Sequence, residues 1–429
     1  MADNENRNQN DNERFTRGFV SGILVMLLCV SIVYFVKSTI EARSSAARGT
    51  EASAAVGETQ AAEDPYTLSL DDDRILDKIH EIEGIVNEAF INEIDSSQVE
   101  TYVYKGLVAG LADPYAGFYT AEELEKVNES TSGEYYGVGA TLSQNKSTGV
   151  ITVVKCYEGT PSAEAGMLPG DILYSVDDTP VTGVDLTEVV SMIKTGKDDV
   201  SHIQVMRDGE TEPVKLDVPR MDIEVPTVTH EMLENKIGYI AVSSFDTITE
   251  GQFTEALTDL ESQGMEKLVI DLRNNLGGVL QTCTAMLDQL LPEGLIVYTE
   301  DKAGNREEYR SDAEHQFNKP MAVLVNGSSA SASEIFAGAI KDYGTGTIVG
   351  TQTYGKGIVQ RIFKLEDGTA LKLTIAHYYT PKGNDIHEIG VTPDVVIDLN
   401  EELKKKVTVT HEEDNQLQKA IEILNSTIQ

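Results

Sequence analysis

The chain has 429 residues, 40% of them hydrophobic, and a formal net charge of -37. That length and apolar content suffice for two or three buried cores, and so large an acidic excess argues against nucleic acid as a partner, because phosphate repels it. The three cysteines, Cys29, Cys156 and Cys283, give no disulfide framework, and with no Cys/His cluster or acidic calcium loop in the sequence, no metal and no cofactor are expected.

Residues 1–17 are a polar tail rich in Asn, Asp, Glu and Arg. Phe19 to Val36, FVSGILVMLLCVSIVYFV, is eighteen residues without a charge, long enough to cross a bilayer with little tilt. A secretory signal would have a shorter apolar core followed soon by small residues at a cleavage site. The expectation is therefore an uncleaved transmembrane anchor over 18–37. Arg7, Arg14 and Arg17 on one side face Lys37, Arg43 and Arg48 on the other, so charge leaves its orientation undecided. Residues 38–64, rich in Ala, Ser, Glu, Gly and Thr without apolar periodicity, read as a flexible stalk. Over 65–130 the spacing turns helical, with Ile75, Ile79, Ile82, Ile85 and Val86 on one face and Leu107, Leu111 and Tyr115 later. Packing accounts for that region, and it is assigned no chemistry.

Residues 131–220 read as short strands with turns. Tyr136-Gly137-Val138-Gly139 precedes an alternating strand, and Pro169-Gly170-Asp171-Ile172 closes a turn into another. These two stretches resemble the carboxylate-binding loop and the P-G-D-I turn of a PDZ domain. Successive N–H groups in a glycine-bearing loop can cradle a peptide carboxylate while the adjacent strand edge adds the peptide as a further strand. Two S-x-x-K matches, Ser143 to Lys146 and Ser191 to Lys194, fit penicillin-binding chemistry only in part. Lys194 would have to serve both S-x-x-K and K-T-G, which in that chemistry require separate lysines.

An α/β pattern follows over 221–400. Ile237 to Phe245 is strand-like, Gly251 to Ser262 helical, and Lys267 to Leu272 a buried strand leading into Arg273-Asn274-Asn275-Leu276-Gly277-Gly278. Met321 to Val325 is a further apolar strand ending at the turn pair Asn326-Gly327, and Ser331 then opens a helix that stops at Gly344. Ser331-Ala332-Ser333-Glu334 has two readings. It is a capping box, S-x-x-E, or it is a nucleophile at a strand-to-helix turn with the helix N–H groups beside it as an oxyanion site. Lys356, bracketed by Gly355 and Gly357, favours the second, since a desolvated lysine sheds its proton and can serve a serine as base. Gly350 to Lys356 also fits the phosphate-loop pattern G-x-x-x-x-G-K. Gly357 stands where Ser or Thr would hold Mg²⁺, however, and the β-branched run from Ile358 is no helix. A Ser-His-Asp hydrolase would need His377 or His387, and neither has a context that ties it to Ser331.

N-G-S-S-A-S-A-S-E-I, followed by D-Y-G, T-Y-G-K-G and V-Q, resembles the catalytic block of the carboxy-terminal processing peptidases, or tail-specific proteases, with motif order matching over roughly 65–400. The resemblance implies a serine-lysine dyad of Ser331 and Lys356, supported by Gln360, with an acidic helix position at Asp342. It implies an oxyanion hole from the Ala332 N–H and an N–H of Gly277 or Gly278. Leu276 stands where many members have Pro. Ser329 and Ser333 are the decoys of a one-step misalignment. Residues four apart are about 13 Å apart in extended chain, so a contact of Gln360 with Lys356 would need a bend at Gly357. The implied fold class is an α/β protease core with an inserted PDZ domain (α+β), an N-terminal helical region and a single transmembrane helix. Residues 401–429 form a terminal helical segment. The implied protein is a membrane-anchored serine endopeptidase with residues 1–17 cytoplasmic and the protease outside the cytoplasm. Its partners would be protein or peptide substrates with free C-termini, bound at Tyr136, Gly137, Val138 and Gly139, with the membrane held by the N-terminal helix. A homodimer through the helical region is also implied. The alternative is a catalytically inactive tethered PDZ scaffold.

Overall fold

The computed structural model describes residues 66–195, 199–312, 314–406 and 408–426. The chain divides into two units, 1–93 and 94–429. In the first, α1 (Asp72–Ala89) starts where the Asp71 carboxylate accepts the Arg74 N–H at 3.1 Å, and none of its residues is buried.

The second unit begins with α2 (Ser96–Ala109), β1 (Gly117–Tyr119) and α3 (Ala121–Ser132). The helical spacing suggested by Tyr115 is not realised. α2 ends at Ala109, and Asp113-Pro114 turns the chain, since a residue before proline is driven out of the helical region. Thr120 and Glu123 form the capping box that opens α3, and Gly133 in the left-handed region closes it.

β2 (Glu134–Gly137) leads into an inserted module of β3 (Ala140–Gln144), β4 (Ile151–Cys156), α4 (Pro161–Glu164), β5 (Ile172–Val176), β6 (Thr179–Pro180), α5 (Leu186–Thr195), β7 (Val200–Met206) and β8 (Val214–Pro219). The chain leaves through β9 (Met221–Glu224), which pairs antiparallel with β2, so the module hangs from the core by a two-stranded ribbon. Its sheet runs β3-β4-β5-β7-β8, with β6 on β5. Strand alternation sends Ile151, Val153, Leu173, Ile203, Val205 and Val218 inward, where α5 adds Val189 and Ile193.

The core sheet comprises β10 (Val228–Leu233), β11 (Ile237–Val242), β12 (Lys267–Asp271), β15 (Met321–Val325), β16 (Thr347–Gly350) and β19 (Val395–Val396), in the order β10-β11-β12-β15-β16-β19. All neighbours after β11 are parallel, and β10 is an antiparallel edge. The helices α6 (Thr249–Ser262), α7 (Leu280–Asp288) and α8 (Ala332–Tyr343) cover one face, packing Phe253, Leu257, Leu260, Leu287, Phe336 and Ile340 on Leu268, Ile270, Val323 and Val325. The alternate residues Val269, Ala322, Leu324 and Val349 face the other way and meet Leu417, Ala420 and Leu424 of α9 (Asn415–Ser426). Burial on both faces explains why β15 reads as an uninterrupted apolar run. Each fully buried Val, Leu, Ile or Phe side chain among these contributes roughly 1.5–3 kcal/mol.

An antiparallel sheet made of β13 (Gly294–Asp301), β14 (Arg306–Ser311), β17 (Ile358–Lys364), β18 (Ala370–Tyr379) and β1 runs β1-β18-β13-β14, with β17 also on β18. Loops from the C-terminal ends of β12, β15 and β16 converge near it, where parallel α/β sheets place their chemistry.

The α/β core and inserted module agree with the expected fold class, but the transmembrane helix needs correction. No helix among the described residues is long and apolar enough to cross a membrane, and 18–37 lies outside them. α1, with 18 residues, carries Asp72, Asp73, Arg74, Asp77 and Lys78 in its first two turns, which a bilayer interior would exclude.

Candidate active site

β15 delivers the serine ladder beside the loop that follows β12. Asn326 stitches the two together: its side-chain oxygen accepts the Asn274 N–H at 3.0 Å and its amide donates to Asn274 Oδ1 at 2.9 Å. The three serines then separate by role. Ser329 Oγ donates to the Leu272 carbonyl at 2.8 Å and Ser333 Oγ to the Asn275 carbonyl at 2.9 Å, and both residues are wholly buried. Ser331 instead lies on the wall of a cleft of about 510 Å³ that also exposes Gly278, Ala332, Lys356, Ile358, Gln360 and Tyr378. Its φ of 55° and ψ of -116° are foreign to an ordinary cap, which sits in the extended region. Such a conformation in a residue with a side chain costs on the order of 1–3 kcal/mol and persists only when its surroundings enforce it.

The enforcing group is Glu334, fully buried in the first turn of α8. One carboxylate oxygen accepts the N–H groups of Ser331 at 2.9 Å and Lys356 at 2.8 Å. The other accepts the Gly355 N–H at 2.7 Å and the Thr353 hydroxyl at 2.6 Å. With its lone pairs filled in this way, the buried carboxyl group leaves no polar atom unpartnered. Tyr378 binds the same two segments from the other side, its hydroxyl sharing one proton between the carbonyls of Ser331, at 3.0 Å, and Lys356. Gly357 is required by close approach, since a Cβ there would lie 2.5 Å from the His387 backbone nitrogen. Burial holds the Lys356 amine below its usual pKa and Lys372 adds to the effect, while Asp113 and Glu334 oppose it. The Lys356 ammonium position lies 4.5 Å from the centroid of the Tyr115 ring.

Gly277 and Gly278 differ in what their N–H groups do. The Gly277 N–H donates to Asn275 Oδ1 at 2.8 Å. Asn275, itself buried, also donates to the Val242 carbonyl at 2.8 Å. The bridge between Phe245 and Gly278 uses the Gly277 carbonyl and the Val279 N–H, so the Gly278 N–H stays outside it, at the cleft wall near Ala332. A Cβ on Gly277 would lie 2.8 Å from Ser331 Cβ and 3.0 Å from the Ala332 nitrogen.

Gln360 lines the cleft past a bulge between Val359 and Gln360, with its amide 3.4 Å from Thr374 Oγ1 and 3.5 Å from the Ile358 carbonyl. Among the described residues no hydrogen bond joins Gln360 to Lys356, or Ser331 Oγ to Lys356 Nζ. Asp342 sits eleven residues along α8, about 16 Å away by helical rise. There it accepts the Lys382 N–H at 2.9 Å and anchors the turn after β18. His377 and His387 pack edge to face, 5.2 Å apart, in an adjoining cavity. β17 begins directly after Gly357, so no helix N-terminus faces a phosphate in the 350–356 loop. Lys194 of the other S-x-x-K match is paired with Glu129 at 2.8 Å. No group of three or more His, Cys, Asp or Glu arranged to hold a metal ion occurs among the described residues.

A carboxyl-terminal-processing protease of Synechocystis sp. is 31% identical over 354 residues, 81% of this chain and 82% of its own length. The chain belongs to peptidase family S41. The family's own profile matches residues 236–397, and that of the PDZ domain matches 137–218. A CtpA-like serine protease of Staphylococcus aureus is 33% identical over 77% of this chain and 66% of its own. Among solved structures, the photosystem II D1 C-terminal processing protease aligns over 74% of this chain and 86% of its own, at 29% identity and a TM-score of 0.44. By its family profiles and its Synechocystis relative, this S41 peptidase is a serine protease of the C-terminal processing type that carries a PDZ domain.

In the PDZ domain of the S41 chain, Tyr136 and Gly137 end β2, and Val138 is buried. The Gly139 carbonyl accepts from the Tyr157 N–H at 3.0 Å and Ser162 Oγ at 2.9 Å, which fixes the loop. β3 is one of the two edge strands of the sheet, and Gln144 at its end donates to the Val184 carbonyl, at 2.6 Å, just before α5. Sequence reasoning saw Glu334 only as a cap, placed Tyr378 at the substrate groove without its bonds to Ser331 and Lys356, and missed Asn275 and the placement of Tyr115. Pro114 was the available signal that Tyr115 lies on a loop.

Proposed function

We propose that this S41 protease hydrolyses peptide bonds through a Ser331–Lys356 dyad, selecting proteins by a free C-terminus docked along β3. The observation that carries this is the Glu334 carboxylate, which accepts from the backbones of Ser331 and Lys356 at once. Neutral Lys356 removes the Ser331 proton, and Oγ attacks the scissile carbonyl. The N–H groups of Gly278 and Ala332 receive the developing oxyanion, while Gly277 holds the loop through Asn275. The ammonium of Lys356 then protonates the leaving amine, and the neutral lysine activates the water that releases the acyl group. Gln360, on the same wall, steadies that amine and water from the β17 side. Asp342 supports the fold rather than the chemistry.

The open edge of β3 and the loop of Tyr136, Gly137, Val138 and Gly139 suit a peptide added as a further strand, its carboxylate on the loop. Val99, Tyr102 and Val103 are exposed at helical spacing on α2, which supports a homodimer through that face. A position outside the cytoplasm is supported by the family resemblance. Cleavage of an unfolded protein with an apolar C-terminus, free or amidated, tests the reading. The free form should be cut faster, and Ser331→Ala and Lys356→Ala should cut neither. Equal cutting of both forms would remove the PDZ role. Binding of the free form without cutting by the unmodified chain would favour the inactive scaffold.

A further inference from the structure

We propose that Tyr115, delivered by the loop between α2 and β1, is a positioning residue for Lys356. The face of its ring holds the lysine as ammonium and so sets how much enzyme has a lysine free to act as base. The proposal rests on the reading of Lys356 as the general base. Nζ lies 4.5 Å from the ring centroid, inside the range of about 6 Å over which a ring face attracts a cation. Among the described residues the amine makes no ion pair or hydrogen bond, so the ring is its defined contact.

The ring is held there from several directions. The Tyr115 N–H donates to Asp113 Oδ1 at 2.9 Å, and Tyr354 lines the same cavity as the Tyr115 ring. Two residues on, β1 pairs with β18, Gly117 opposite Lys372. Phe118 is buried, its ring 5.3 Å from that of Tyr104 on α2. The segment joining α2 to β1 therefore supplies one wall of the lysine site, although it lies far in sequence from the catalytic block.

The groups facing Lys356 come from every element around it. Burial and Lys372 of β18 favour the neutral amine, while Asp113 of the Tyr115 loop and Glu334 of α8 favour the ammonium. Tyr354, His377 and His387 line the adjoining cavity with Tyr115. The negative face of the Tyr115 ring adds to the side of Asp113 and Glu334. An apolar side chain of similar bulk would keep the burial and remove that attraction, so the lysine would lose its proton at lower pH.

The test uses the full chain and the pH dependence of the rate at which a fluorophosphonate reacts with Ser331. Tyr115→Phe, which keeps the ring, should superimpose on the unmodified enzyme. Tyr115→Leu should move the acid limb to lower pH by about half to one and a half pH units, the equivalent of one cation–π contact. Tyr115→Met, also without a ring, should shift the limb in the same direction and guards against a folding defect peculiar to leucine. A limb that stays in place or moves to higher pH in both ringless variants overturns the proposal, and so does a shift in Tyr115→Phe equal to theirs, which would assign the effect to the hydroxyl. Lys356→Ala separates the two levels. If it reacts like the unmodified enzyme, the base assignment fails; if it is inert while the ringless variants are unmoved, only the role of Tyr115 fails.

Discussion

Glu334 has four donors and no spare lone pair to lose. Glu334→Gln would turn an amide NH₂ toward N–H groups, leaving buried donors unpartnered. The expected cost is about 3 kcal/mol or more of stability, with at least about a hundredfold loss of kcat/KM as the two segments drift. Thermal unfolding and peptide hydrolysis measure the two effects. Ser333→Ala should cost only about 1 kcal/mol and leave the chemistry intact, because its hydroxyl serves the Asn275 carbonyl. Lys356 gives a pH signature of known sign. Its folded pKa is depressed, so between that value and the unfolded value near 10.4 the unfolded chain binds more protons, and stability rises with pH. Lys356→Met should flatten that rise in denaturant titrations. At this scale the motif spacing was enough to pick out Ser331 and Lys356, which the fold brings to one cleft. Glu334 was legible only as a cap, since its other partners lie about twenty residues on and meet it through the fold.

Among elements, α8 was readable at both ends: a serine turn opens it and Gly344 in the left-handed region closes it. β17 decides the phosphate-loop question, and Mg-ATP should accordingly leave the melting temperature unchanged. A shift growing with ATP concentration would revive the nucleotide reading. β1 escaped notice because three residues carry no periodicity and its partner strand comes some 250 residues later. Tyr115 was misplaced because the apolar spacing of α2 continues past its end at Ala109, whereas Ala112 in the left-handed region and Asp113-Pro114 turn the chain away. Gly277→Ala should abolish turnover while leaving most of the sheet intact, because the new Cβ would press on Ser331 and on the Ala332 nitrogen, the proposed oxyanion donor.

For the molecule as a whole, the exposed stripe of Val99, Tyr102 and Val103 should be covered in a homodimer. Val103→Glu should shift sedimentation toward the monomer at equal concentration, whereas an unchanged distribution would place the interface elsewhere. That a PDZ domain precedes the peptidase core was legible from glycine-bearing turns and the switch from strand to helix periodicity. The ribbon of β2 and β9 that suspends the PDZ domain was not, because it pairs residues on either side of an insertion. The dyad itself is tested most directly by mapping, by mass spectrometry, the side chain that a fluorophosphonate modifies in the unmodified chain and in Lys356→Ala. The expected result is modification of Ser331 in the first and almost none in the second. Label on Ser329 or Ser333, or equal label on Ser331 without the lysine, would contradict it.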